Sequence, residues 1–317
     1  VVTSEFVFDK APFPACHSAT LTETSEGELL CAWMGGKEEG DRDVAIWMSR
    51  KEKNGWTLPV IVADVNRMPC WNPVLFTMPT GDVLLFYKAG PFPQMWSASM
   101  KLSKDGGKSW GVEQELPAGV IGPAKNRPLL MNDGRLLCGS SIETWQRWGC
   151  YIDTTDDLGK SWKKSAPINV ESNLFGIIQP ALFQTKQGHI KLFARSREMS
   201  EICTAHSEDG GVSWSPARKT GLPNPNSSID VLKMNDGRVL LAYNDTKKGR
   251  TPLVLAVSSD EGESFDKVFT LEMGAGEFSY PCLLETADHM IHVSYTWNRE
   301  KIKHVVIDAK ELQLPAK

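Results

Sequence analysis

The sequence predicts an all-β fold, a six-bladed β-propeller filling residues 1–317 as one domain. Three observations carry the prediction. An Asp-containing turn recurs with the pattern [S/T]-x-D-x-G-x-S-[W/F], at Ser103–Trp110, Thr155–Trp162, Ser207–Trp214 and Ser258–Phe265. Its starts are 52, 52 and 51 residues apart, and a fixed period is the mark of a repeat architecture. A second series of tight turns runs in phase, at Gly27, Gly81, Gly134, Gly188, Gly237 and His289. The chain also carries 26 Gly, 19 Pro and 11 Trp, which favours turn-rich β structure over helices.

Each unit reads in the same order. A short β-prone segment comes first: CHSATL, WNPVLF, NRPLLM, IQPALF, SSIDVL and SYPCLL. Pro stands near the start of several, where a strand tolerates it. The second-series turn follows, then an apolar run such as TGDVLLFY or NDGRVLLAYN. Further strands flank the Asp turn. There Asp is expected to cap backbone N–H groups, Gly to supply unusual dihedrals, and Trp to pack between sheets. A worn copy of the Asp turn lies at Ser49–Trp56, and the sixth unit lacks one. The segment SEFVFDK near the N-terminus is expected to add the strand that completes the sixth blade. Four-stranded units repeated radially are propeller blades.

Composition narrows the function. A net charge of −4 and no Lys/Arg block argue against a nucleic-acid partner. No stretch approaches the roughly 20 apolar residues of a membrane span. The seven Cys are scattered and odd in number, without C-x-x-C, so buried free thiols are expected rather than zinc or a disulfide framework. No metal-ligand spacing and no phosphate-cradling Gly loop is present, so no metal and no organic cofactor is expected. The chain starts at Val1 rather than Met, and the expectation is a secreted or periplasmic protein whose signal has been removed.

In a propeller the first strand of each blade lines the channel, and its opening residues ring one mouth with the loops after the second strand. The strand openings offer His17, Trp71, Asn72, Asn126, Arg127, Gln179, Ser228, Asp230 and Tyr280. The loops offer Glu39, Asp41 and Asp43 in EEGDRD, then Lys88, Glu143, Arg195, Arg197, Asn244, Arg250 and Trp297. Charges at a desolvated mouth are costly unless they bind something. Arg195, Arg197 and Arg250 fit an anion, because guanidinium pairs a carboxylate in two-pronged fashion. The blander alternative for each is a structural salt bridge. His17 suits general acid/base work or a hydrogen-bonded structural role, and Tyr280 suits a nucleophile, a proton donor or core packing.

The repeated turns resemble the Asp boxes of the sialidase (neuraminidase) superfamily, and the resemblance covers almost the whole chain. It implies a six-bladed propeller and an exo-glycosidase. Where that family has an R-I-P-type Arg on the first blade, CHSATL places His17. The family's acid/base Asp falls in the region of Asp41 and Asp43. Its Glu corresponds to Gln179 and its second Arg to Arg195, in IQPALFQTKQGHIKLFAR. Its third Arg corresponds to Arg250 and its Tyr nucleophile to Tyr280, in GEFSYPCLL. The two departures, His17 and Gln179, weaken the carboxylate grip and deprive the Tyr of its carboxylate base.

The resemblance implies removal of a terminal acidic sugar, sialic acid or related, from an oligosaccharide or glycan. Catalytic roles fall to Tyr280, to an acid among Glu39, Asp41 and Asp43, and to His17 beside Gln179. Arg195, Arg250, Arg197, Asn72, Trp71, Lys88, Glu143, Asn126, Asp230, Asn244 and Trp297 would bind substrate. Two alternatives stand beside it. One is a uronate-directed lyase or rhamnosidase-type propeller enzyme using His17. The other is a non-catalytic propeller that binds acidic glycans.

Overall fold

Every repeat folds as an antiparallel meander in the computed structural model, which describes residues 1–314. Blade 1 is built from Ala15–Glu23, Leu29–Gly36, Ala45–Glu52 and Gly55–Trp56, with Val60–Ala63 also paired to its third strand. Blade 2 holds Cys70–Thr77, Val83–Ala89, Ser97–Ser103 and Gln114–Glu115. Blade 3 holds Leu129–Leu130, Leu136–Glu143, Trp148–Thr155 and Lys163–Lys164. Blade 4 runs through Ile177–Gln184, Ile190–Ser196, Glu201–Ser207 and Arg218–Pro223. Blade 5 runs through Asp230–Lys233, Val239–Asn244, Leu253–Ser258 and Asp266–Glu272. Blade 6 has three strands from the C-terminal end, Phe278–Glu285, Met290–Trp297 and Lys301–Asp308. Its fourth is Thr3–Phe6, paired with Lys303–Val306, as SEFVFDK predicts.

The chain divides into two compact units. The first joins Val1–Ile121 to Tyr280–Ile307 and holds blades 1, 2 and 6; the second joins Gly122–Ser279 to the segment from Asp308 and holds blades 3, 4 and 5. Within each, the core lies between consecutive blades. In the first unit Leu30, Met34 and Ile46 pack with Leu75 and Leu85, and Phe8 stacks on Trp33 at 5.0 Å. In the second, Leu137 and Ile152 pack with Ile177 and Leu192, while Phe183 and Phe193 pack with Val231 and Leu241. All seven cysteines are buried free thiols.

The turns explain the period. Asp157 accepts the amide of Ser161 at 2.9 Å and its hydroxyl at 2.6 Å, and Thr155 donates to it at 2.9 Å. These donors hold the Asp157 carboxyl down at about 2, and Asp209 is held at about 2 by Ser213 in the same way. The second Gly of SEDGGVSW, Gly211, has φ +89°, and a Cβ there would come within 2.4 Å of the buried Leu137. Turn and neighbouring blade therefore fit only with glycine between them. Trp214 closes the motif, donating its ring N–H to Gly211 O at 3.1 Å. In the other series His289 takes the glycine place with φ +64°.

Blade 6 is also tied by a polar chain. His292 bonds His304 at 3.0 Å, His304 bonds Glu5 on the N-terminal strand at 3.0 Å, and Lys51 and Trp56 donate to Glu5 at 2.7 and 3.0 Å. The bond from His304 dominates in pulling the Glu5 carboxyl down to about 2. Burial, with His304 beside it, lowers His292 to about 4.

Candidate active site

The innermost strands share a backbone device. Ser18, Asn72, Gln179 and Tyr280 occupy matching places in blades 1, 2, 4 and 6, and have φ of +58°, +38°, +55° and +55°. Register shifts at His17/Thr20, Trp71/Val74 and Ile178/Ala181 mark the bulge that this creates. Three of the four precede Pro, a context that ordinarily pushes the residue to extended backbone. Each such residue costs on the order of 1–3 kcal/mol, and strain of this kind gathers at functional positions. The bulge re-aims the side chain at the strand opening.

In the first unit it brings His17 and Tyr280 together. Both are buried, and their rings lie 4.1 Å apart, tilted by 52°. His17 Nδ1 is bonded to Thr296 Oγ1 at 2.9 Å, and the amide of Ser18 donates to that same hydroxyl at 3.1 Å. The imidazole is thus fixed by Nδ1. The EEGDRD loop lies in the same unit. Glu39 pairs with Arg299, and Asp43 spends both carboxylate oxygens on the Lys37 amide at 3.2 Å. Among the described residues the Asp41 carboxylate has only the Lys37 ammonium as an ionic partner, at 3.9 Å. A cavity of about 20 Å³, enough for roughly one water, is lined by His17, Glu39 and Arg299.

Trp71, Lys88 and Trp297 have partners within the same unit. Trp71 donates its ring N–H to Gly90 O at 2.7 Å and packs 5.6 Å from Trp96. Lys88 is fully buried and donates to Asn72 O at 3.1 Å. Trp297 meets Phe6 edge-on at 5.4 Å, fastening the N-terminal strand.

In the second unit the centre is Arg195, which is 7% exposed. Its Nε and one terminal nitrogen donate to Asn226 Oδ1 at 3.0 and 2.6 Å, and the other terminal nitrogen donates to Gln179 Oε1 at 3.1 Å. Arg195 and Arg197 stand over the Trp148 ring at 5.3 and 5.7 Å. Arg197 also donates to the Trp145 carbonyl at 3.2 Å. Burial pushes the Glu143 carboxyl up, and the two arginines only partly pull it back. Arg250 pairs with Glu277 at 2.7 Å and reaches Ser279 Oγ at 3.4 Å.

Three further candidates here are anchored internally. Asn126 donates to Gln179 O at 2.9 Å, and Asn244 bridges the carbonyls of Pro252 and Phe278 at 3.1 and 2.8 Å. Asp230 caps the amide of Val231 at 2.9 Å. Sequence reasoning missed Thr296, Arg299, Asn226, Glu277 and Trp148. Asn226 lies in LPNPNSS and Glu277 three residues before Tyr280, so both had a signal in the sequence. Thr296 had none, since it meets His17 across 279 residues. Among the described residues no three His, Cys, Asp or Glu gather to hold a metal, and no helix is long and apolar enough to cross a membrane.

A curated sialidase of Bacteroides fragilis (strain YCH46) is 22% identical over 282 residues, covering 82% of this chain and 50% of that protein, so the chain spans about half its length. A protein of unknown function from Dyadobacter fermentans superposes with a TM-score of 0.82 at 18% identity, over 96% of this chain and 97% of that one. The Hadza microbial sialidase Hz136 superposes with a TM-score of 0.78 at 18% identity, over 94% of this chain and 66% of that one. The fold is therefore the six-bladed β-propeller shared with sialidases. A family model described as a BNR repeat-like domain matches residues 27–293, and with it the chain belongs to the BNR repeat-like family and is sialidase-like.

Proposed function

We propose that the protein is an exo-acting glycoside hydrolase that removes a terminal acidic sugar, sialic acid or a close relative, from a glycan. The observation that carries this reading is Tyr280. It is a buried Tyr held in a strained conformation at a strand opening, with its ring against a fixed imidazole. By the resemblance to sialidases, Arg195 and Arg250 take the sugar carboxylate, since guanidinium matches it in geometry and charge. Tyr280 attacks the anomeric carbon as the glycosidic bond breaks. Asp41, less committed than Glu39 or Asp43 of the same loop, protonates the departing oxygen. Gln179 stands where the sialidase pattern has its Glu, and a carboxamide is not a base. His17 takes the phenolic proton on Nε2, with its Nδ1–H donated to Thr296. Water then attacks the anomeric carbon and gives its proton to Asp41, while the Tyr280 oxygen departs and takes back the proton held on His17.

The fixed imidazole of His17 also favours a second reading, an eliminating lyase on a uronate with His17 as base. One experiment separates them. The protein, Tyr280→Phe and His17→Ala are incubated with sialyl- and uronate-capped oligosaccharides, and products are weighed by mass spectrometry. Free acidic sugar, lost in Tyr280→Phe, supports the hydrolase. A sugar lighter by one water, lost in His17→Ala, supports the lyase. Binding without any product leaves a glycan-binding propeller.

A further inference from the structure

The second unit holds a larger cleft that none of the roles above uses. It measures about 790 Å³, within the range of small-molecule sites. Its walls include Trp148, Tyr151, Arg147, Asn169 and Asn173, with Leu174 at the rim, 72% exposed. Two glycines shape it. A Cβ on Gly149 would come within 2.7 Å of the Tyr151 ring, so the ring leans along its own strand over the missing side chain. Gly176, with φ +88°, lets the backbone approach Trp148, where a Cβ would lie 2.0 Å from the Trp148 carbonyl oxygen.

The polar groups of the cleft differ in whether they are already engaged. Asn173 is used by its own loop, accepting the amides of Phe175 and Gly176 at 2.8 and 3.2 Å. The Arg147 guanidinium, the Asn169 carboxamide and the Tyr151 hydroxyl make no hydrogen bond with the protein among the described residues. Two aromatic rings and three polar groups with no hydrogen bond of their own thus line one concave surface, with the Lys164 ammonium over the Tyr151 ring at 4.9 Å. That is the chemistry of a pyranose. Its C–H face carries slight positive charge and rests on the negative face of an aromatic ring. Its neighbouring hydroxyls offer paired oxygens to the rigid donor fork of an Arg. Trp148 serves both places, since Arg195 and Arg197 stand over its ring and the same side chain lines the cleft.

We infer that this cleft binds the uncharged sugar units of a glycan, with Trp148 and Tyr151 as its stacking surfaces and Arg147 and Asn169 as its hydroxyl partners. The inference rests on the glycan reading above for its biological sense, but its chemistry does not require turnover. A glycan held here would have its neutral part on Trp148 while its acidic end is offered to Arg195 next to that ring.

The test reads binding alone. Lactose, N-acetyllactosamine and lacto-N-neotetraose are titrated into the protein and followed by saturation-transfer NMR and calorimetry. The expected result is binding with Kd on the order of millimolar or tighter for the tetrasaccharide. Tyr151→Ala should weaken it at least 10-fold. Asn169→Trp, at an exposed position, should do the same by filling the cleft while the thermal midpoint stays put. Tyr280→Phe should leave it unchanged. Absence of binding by all three neutral probes, or binding indifferent to both cleft substitutions, overturns the inference. So does binding of 3′-sialyllactose with none of lactose, because that places recognition on the charged sugar. If the hydrolase reading fails, no product forms but the neutral probes still bind; if the cleft inference fails, product forms and they do not.

Discussion

Replacing Glu5 by Gln removes the one carboxylate in the polar chain that fastens the N-terminal strand to blade 6. His304, Lys51 and Trp56 all bond to it. Its carboxyl is lowered from 4.5 to about 2, which corresponds to about 3 kcal/mol of stability at neutral pH. The side chain is 27% exposed, and solvent screening reduces the contribution to about 1–2 kcal/mol. The sign follows from the direction. A carboxylate depressed in the fold stabilises above its unfolded value, and that contribution fades as pH falls from 4.5 towards 2. Glu5→Gln should therefore unfold in less urea at pH 7, by that amount, and the gap should shrink to roughly half or less at pH 3. Hydrogen exchange should report the site, with amides of Thr3–Phe6 losing protection before those of blades 1 and 2. A gap of constant size from pH 7 to pH 3, or unchanged protection in Thr3–Phe6, would refute the reasoning.

His292 adds an earlier acid limb. Burial keeps it neutral in the fold, with its value lowered to about 4, so unfolding lets it take up a proton below its ordinary value of 6.5. Stability should fall as pH drops from 6.5 to 4, and His292→Gln should flatten that stretch of the urea-midpoint profile. Gly211→Ala should cost about 2–4 kcal/mol, combining a left-handed backbone with overpacking against Leu137. Gly134→Ala, with φ +88° but nothing within 4 Å, should cost only about 1 kcal/mol by the same unfolding assay. Arg195→Lys replaces a three-bond fork with one mobile ammonium. If the proposed reading holds, it should raise KM for the acidic sugar about 10–100-fold, measured by steady-state kinetics, and lower the melting midpoint, because bonds to Asn226 and Gln179 are lost.

The fold was legible because its information is local and repeated. An Asp turn needs only eight consecutive residues, and four copies at a constant period set the blade length before any contact is known. The sixth blade was harder, and was read only by noticing that SEFVFDK supplies a strand the C-terminal end lacks. The site was legible in part. Strand openings identified His17, Gln179 and Tyr280 as positions of interest because the period marks them. What the period does not show is the company each side chain keeps. Thr296 is an ordinary hydroxyl in VSYTW until the fold sets it on His17. Trp71, Asn244 and Asp43 have residue types suited to sugar binding or catalysis, yet the Trp71 ring N–H, the Asn244 amide nitrogen and the Asp43 carboxylate serve Gly90, two backbone carbonyls and the Lys37 amide. Spacing gives a residue's address along the strand, whereas its hydrogen-bond partners are settled by chain segments far away in sequence.

Blade 6 bears on the order of assembly. Glu5 and His304 meet across 299 positions, so closing that contact costs about 5 kcal/mol of chain entropy if nothing else has formed. Each of the other blades pairs strands that lie within a few dozen residues of one another. As the chain is made, Thr3–Phe6 emerges long before Lys301–Asp308 and must wait, unpaired, while five blades form. That pairing therefore comes only after Lys301–Asp308 has been made. An early strand with exposed backbone is a hazard, because it can pair with another chain. Glu5 within that strand is a charge that opposes such pairing until His304 and Lys51 arrive to receive it.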